Sequence, residues 1–140
     1  MRVLIRGAGD IATGIALRLY RARMQVIMTD LPKPTAIRRT VCFSQAIVHG
    51  EAEVEGVRAI FAESIAAAER IADQGHIPVL ADPECACRAE LRPDALVDAI
   101  LAKRNLGTRI TDAPIVVGIG PGFTAGKDCH AVVETMRGHS

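Results

Sequence analysis

Within its first fourteen residues the chain passes from a short apolar run, VLI at residues 3–5, through Gly7-Ala8-Gly9-Asp10-Ile11-Ala12-Thr13-Gly14 into a helical pattern. A glycine-rich turn between a strand and a helix fixes a β–loop–α order. It also presents backbone N–H groups at a helix N-terminus, where unpaired donors and the helix dipole stabilise an anion. Gly7 and Gly9 stand two apart, as in the dinucleotide fingerprint, where one glycine permits the tight turn and the next lets the backbone approach a diphosphate. Ala12 takes the third small position. Ile11, Ile15 and Leu19 fall on one helical face and lead to a second apolar run at residues 26–28. Asp30 closes that run about 20 residues beyond the glycines, where an acid hydrogen-bonds ribose hydroxyls and favours NAD over NADP. Lys33, Arg38 and Arg39 follow and would neutralise a 2′-phosphate, so the candidate cofactor is written NAD(P). The plainer alternative is a glycine turn of an α/β fold that holds no nucleotide.

Composition limits the partners. A length of 140 residues suits a single domain with one core. A formal charge of +1 gives no field for nucleic acid or a membrane surface, and 3% aromatic residues with no Trp argue against base-stacking platforms. Arg6 and the early glycines interrupt the N-terminal apolar stretch, so it reads as neither a signal-peptide core nor a membrane span. The expected location is cytoplasmic. There, the four cysteines are expected to be thiols, ligands or nucleophiles rather than structural disulfides.

Further along, Pro32 and Pro34 mark an extended connection, and residues 36–47 are mixed in pattern. Runs at 52–54 and 57–61 flank Glu55-Gly56 and predict a hairpin, with Gly56 supplying the turn. Ile65, Ala68 and Ile71 predict a helix over 64–74 capped by Gly75, followed by a parallel strand at 77–81. Residues 84–92 form a polar stretch. Strands are predicted at 95–101 and 115–119, with a last apolar run at 131–133. The fold expected is α/β, a Rossmann-like, mostly parallel sheet with a small β-hairpin insertion.

In an open parallel sheet, the loops leaving the carboxyl ends of strands converge on one crevice. Three loops here have that position: the GAGDIATG loop, the turn Lys103-Arg104-Asn105-Leu106-Gly107-Thr108, and a second glycine loop spanning Gly118, Gly120, Gly122 and Gly126. Lys103 and Arg104 offer positive charge, Asn105 a two-sided hydrogen-bonding group and the glycines close backbone approach, which suits a phosphorylated anion. The competing reading of Lys103-Arg104-Asn105 is a solvated helix end. No Ser or Thr follows Lys127, so the second loop lacks the P-loop ending of an ATPase. Asp10 reads as an N-cap, which would compete with a diphosphate for the same donors. Asp82 and Asp98, at strand ends, have the chemistry of general bases. Cys85, Cys87, Cys129 and His130 depart from common zinc spacing, and Cys129 and His130 as neighbours on a strand point to opposite faces, so no metal is assigned. His49, His76 and His139 have no identifiable partners in the sequence.

The blocks IRGAGDIATGIALRL, IRRTVCFSQAIVHGEAEVEGV, VDAILAKRNLGT and DAPIVVGIGPGFTAGKDCHAVVETMRGH together resemble the accessory family of selenium-dependent molybdenum hydroxylases, over nearly all of the chain. The resemblance implies a Rossmann-like N-terminal region and a part in maturing the molybdenum cofactor of xanthine-dehydrogenase-type enzymes. It implies a molybdopterin (di)nucleotide as a second candidate ligand beside NAD(P). The family's recurrent positions correspond to Gly7, Gly9, Asp10, Lys103, Arg104, Asn105, Gly120, Gly122 and Gly126, with no catalytic role assigned to any of them. Candidate partners are an anionic small molecule, a molybdenum hydroxylase apoenzyme and further copies of the chain. Members of that family continue beyond the RGH stretch, so this chain is expected to match the N-terminal part of a longer architecture; the Cys85–Cys87 spacing is peculiar to this chain. An NAD(P)-dependent oxidoreductase and a non-catalytic interaction scaffold are the rival readings.

Overall fold

A computed structural model describes residues 1–30, 42–102 and 104–134. The apolar run after Met1 becomes β1 (Arg2–Arg6), and the glycine turn feeds α1 (Asp10–Arg21) and then β2 (Gln25–Asp30). After α2 (Gln45–His49) come β3 (Glu51–Val54) and β4 (Val57–Ala62), then α3 (Ile65–Asp73), β5 (Ile77–Ala81), α4 (Arg88–Leu91), β6 (Ala95–Asp98), β7 (Ile115–Ile119) and β8 (Ala131–Val133).

Among the described residues, eight strands join one sheet in the order β3-β4-β5-β2-β1-β6-β7-β8. Every pairing is parallel except β3 with β4, so the chain is an α/β protein with a Rossmann-like, mostly parallel sheet. The exception is the expected hairpin. Glu55 and Gly56 both take positive φ, 52° and 82°, which is the backbone a tight two-residue hairpin turn requires.

Alternation along each strand divides the core in two. Val3, Ile5, Val26, Met28, Ile77 and Val79 pack on one face with Ala8, Ala12 and Ala16 around α1 and with Phe43 and Ala46 beside α2. Leu4, Ile27, Leu80, Leu96 and Val116 pack on the other with Ala68, Ile71 and Ala72 of α3 and Leu91 of α4. Small alanines on α1 let the helix lie close to the sheet, and each large aliphatic side chain removed from water contributes about 1.5–3 kcal/mol. Α strand buried on both faces reads as a continuous apolar run, which is why β1, β2 and β5 show no polar alternation.

Two boundaries differ from expectation. Only residues 95–98 of the predicted strand at 95–101 pair with β1 and β7. The Asp98 carboxylate turns back to accept the Ile100 N–H at 3.2 Å, and Leu101 takes φ 64°, so the backbone leaves the sheet there. Residues 88–91 of the polar stretch form α4, one short helical turn.

Candidate switch-point site

From β1 the chain steps through α1 to β2 on one side, whereas β6, entered after β5, lies on β1's other side. That reversal makes the carboxyl ends of β1 and β6 a topological switch point, where open α/β sheets carry their crevice. The loop of Gly7-Ala8-Gly9 leaves β1 there. The segment following Asp98 leaves β6, and the second glycine loop leaves β7, the next strand along.

Gly7 has φ 116° and is buried, and a methyl at its Cα would sit 2.9 Å from the Ala99 carbonyl oxygen. Gly122, at φ 93°, would bring a methyl within 2.6 Å of Arg104 Cα, and Gly120 within 2.9 Å of Leu101. All three loops expected at the crevice therefore meet. The close approaches are made to the chain's own Ala99, Ile100, Leu101, Arg104 and Asn105, which between them touch both glycine loops. Gly126, also at positive φ, faces open space in a tight turn that the Asp128 carboxylate closes on the Thr124 N–H at 3.1 Å.

Gly9, half-buried, is the N-cap of α1 and supplies no side-chain cap. Asp10 is the first helical residue and is exposed. This corrects its reading as N-cap: it stands in the first turn, where an acidic side chain is favoured by the helix dipole. Thr13 ties the loop down: its hydroxyl donates to the Ala8 carbonyl at 3.3 Å and accepts from the Phe43 N–H at 3.0 Å. Asp30 stands at the carboxyl end of β2, paired with Ala81 of β5. Arg104 is exposed, and both ends of the Asn105 amide are committed to the Thr108 backbone, at 2.8 and 2.7 Å. Lys103, Lys33, Arg38, Arg39 and His139 lie outside the described residues.

On the α3 side of the same sheet edge lies a buried polar cluster whose partnership is invisible in sequence. Arg6 occupies a core-facing position of β1 and Asp98 the corresponding one of β6, and both are buried. Thr108 links them: its hydroxyl accepts from Arg6 Nη1 at 3.2 Å and donates to Asp98 Oδ2 at 2.6 Å, with the two charges 3.8 Å apart. Arg6 Nη2 donates to the Pro83 carbonyl at 3.1 Å. Breaking such a buried pair by deleting one partner costs about 3–5 kcal/mol, because the other charge is left in low dielectric. Asp98 is thereby occupied in structure. Asp82 is likewise engaged, accepting the Ala86 and Cys87 N–H groups at 3.0 and 2.8 Å. The clue available beforehand was a charged residue inside an apolar parallel-strand run, at Arg6.

Cys85 and Cys87 are buried at this edge, and Cys129 is buried on the same face of the sheet. Burial pushes the Cys129 thiol above its ordinary pKa. His130 points outward, its Nδ1 accepting the Val116 N–H at 2.9 Å. Among the described residues no group of three His, Cys, Asp or Glu side chains is placed to hold a metal ion. An open cavity of about 360 Å³ lies at the opposite, amino-terminal edge, lined by Tyr20, Arg23, Met24 and His76. Switch-point chemistry belongs to the carboxyl edge, so that hollow is a groove between α1 and α3 rather than the crevice.

Fold and edge together define a Rossmann-like α/β protein with a glycine-lined switch point. Over 137 residues, 98% of this chain, it is 60% identical to a protein of Escherichia coli (strain K12) named "Uncharacterized protein YqeB". The chain spans 25% of that relative's length. No family model and no solved structure matches the chain. Among the described residues no helix is long and apolar enough to cross a membrane.

Proposed function

We propose that the chain binds a phosphorylated anion, a nucleotide or a molybdopterin-type dinucleotide, and serves as an accessory protein in maturing a molybdenum hydroxylase of the xanthine-dehydrogenase type. The observation that carries the ligand reading is the N-terminus of α1 at the switch point, a twelve-residue helix with a side-chain-free N-cap at Gly9; Arg104, exposed, lies against Gly122 of the second glycine loop. A diphosphate seated there would receive amide hydrogens from α1 and charge from Arg104, with Lys103 next to it in sequence. The maturation role rests on the resemblance of the AKRNLGT and GPGFTAG blocks, and molybdopterin cofactors supply the phosphate such a site calls for.

Thermal shift with NAD, NADP, CTP, GTP and AMP tests the ligand. A bound nucleotide present at a hundred times its dissociation constant adds about 2.7 kcal/mol of stability. An upward shift with at least one nucleotide, lost in Arg104→Ala, is the expected result. No shift with any of them overturns nucleotide binding and favours a non-catalytic scaffold.

An NAD(P)-dependent oxidoreductase is the second reading, favoured by Asp30 at the end of β2. In that case Asp30→Ala abolishes any preference for NAD over NADP, and an unchanged preference removes the support.

A further inference from the structure

The second glycine loop runs between β7 and β8, and β8 is an edge strand of the sheet. Beyond the pairing of β7 with β8, further hydrogen bonds close this loop at its base. The Gly120 N–H donates to the Val133 carbonyl at 2.8 Å, the His130 N–H donates to the Val116 carbonyl at 2.7 Å, and the Val116 N–H donates to Nδ1 of the His130 imidazole at 2.9 Å. The last of these differs in kind, because its acceptor is a side chain that takes up protons near neutral pH.

The N–H and C=O of one strand residue point to the same side, so Val116 offers both groups toward β8. Pairing of β8 with β7 begins at Ala131, opposite Val117. One position earlier the imidazole nitrogen stands where a ladder carbonyl would otherwise accept the Val116 N–H. Val116 is 0% exposed, so water does not replace that acceptor, and a buried donor without one is costly. His130 itself is exposed and open to protons from solvent.

We infer that His130 is an acid-sensitive latch: with a neutral imidazole it holds β8 and the base of the second glycine loop to β7, and with a protonated one it releases them. A ring nitrogen accepts a hydrogen bond only when it carries no proton, which places the proton of the neutral ring on Nε2. A second proton, taken from water, makes Nδ1 a donor facing another donor. The Val116 N–H then loses its partner as the ring turns away. The latch is closed in neutral solution and opens as pH falls through the range in which imidazoles titrate.

Neighbouring charges are engaged elsewhere or lie in solvent. Among the described residues His130 enters no ion pair. β7, the strand it packs on, carries no ionisable side chain. On its own segment Asp128 accepts the Thr124 N–H at 3.1 Å, and Lys127 and Glu134 are exposed. Ahead of β7, Asp112 accepts from Arg88 Nε and from the Arg109 N–H, and Glu90 of α4, whose Leu91 shares a core with Val132, is exposed. Gly122 of the latched loop lies against Arg104 and Asn105, so release at the base acts on the glycine-lined rim. The latch involves no ligand and is read independently of the anion site.

The test is amide hydrogen exchange on the intact chain from about pH 8 to about pH 5, corrected for the intrinsic pH dependence of exchange, with the His130 ring titrated by NMR in the same samples. Protection of the Val116 and Gly120 amides should fall roughly tenfold, with the midpoint of the His130 titration, while β1 and β2 keep theirs. His130→Asn supplies a side-chain oxygen that accepts at every pH, so its protection should stay flat across the range. His130→Phe removes the acceptor and should show the acid level of protection already at about pH 8. Should a variant fail to fold, the wild-type profile at Val116 decides the matter. The proposal is overturned if wild-type protection is flat through the His130 titration, if His130→Asn loses protection as the wild type does, or if β1 and β2 lose it in step.

Discussion

Two glycines in the same loop and helix do opposite things for stability. Gly7 is at φ 116° with a carbonyl oxygen where its Cβ would be, whereas Gly14 is an exposed interior residue of α1 with nothing within 4 Å of a Cβ. Gly7→Ala should therefore lower the unfolding free energy by more than about 2 kcal/mol, and Gly14→Ala should raise it by about 0.5–1 kcal/mol, both read from denaturant midpoints at unchanged slope. If the two changes have the same sign, the account of the loop is wrong. The sequence marks both positions alike. What separates them is the Ala99 carbonyl, 92 positions downstream of Gly7. Asp10 carries the same lesson at shorter range, since a shift of one residue in where α1 begins turns a capping carboxylate into a first-turn charge. The link from Arg6 through Thr108, 102 positions away, was not legible at all, because periodicity records which side of a strand a residue faces but not what arrives there.

Among the elements, the legible ones have a local cause. α3 starts where Ser64 accepts the Ala67 N–H at 3.1 Å, and it ends one residue before Gln74, with Gly75 at φ 88° beyond. Ser64→Ala should cost about 1 kcal/mol, measured by chemical denaturation, and Ser64→Gly only a few tenths. Equal losses for the two would show that packing rather than capping sets the start. The hairpin was legible because Glu55-Gly56 selects its own turn. α2 and α4, of five and four residues, were not, because so short a helix has too few positions to show a 3.6-residue period. β6 stops short of its apolar run for a related reason: Ile100 and Leu101 continue the run, while the pairing ends at Asp98, whose carboxylate accepts the Ile100 N–H.

At the scale of the whole molecule, strand order decides which parts open together. β1, β2 and β6 lie inside the sheet with neighbours on both sides, whereas β3 and β8 are its edges, and Val133 on β8 is 49% exposed. Amide exchange should be slowest in β1 and β2 and fastest in β3 and β8, and equal protection across the sheet would contradict this layering. Strand identity and the hairpin could be read along the chain; the order β5-β2-β1-β6 could not, because it follows from which faces α1 and α3 cover. The near-uniform strand direction carries one more consequence. The carboxyl ends of β1, β2, β5, β6 and β7 all lie on one rim, so insertions or exchanges there would leave the interior strands in register. Chemistry can thus be rewritten along a single margin of the molecule while the scaffold beneath it goes unchanged.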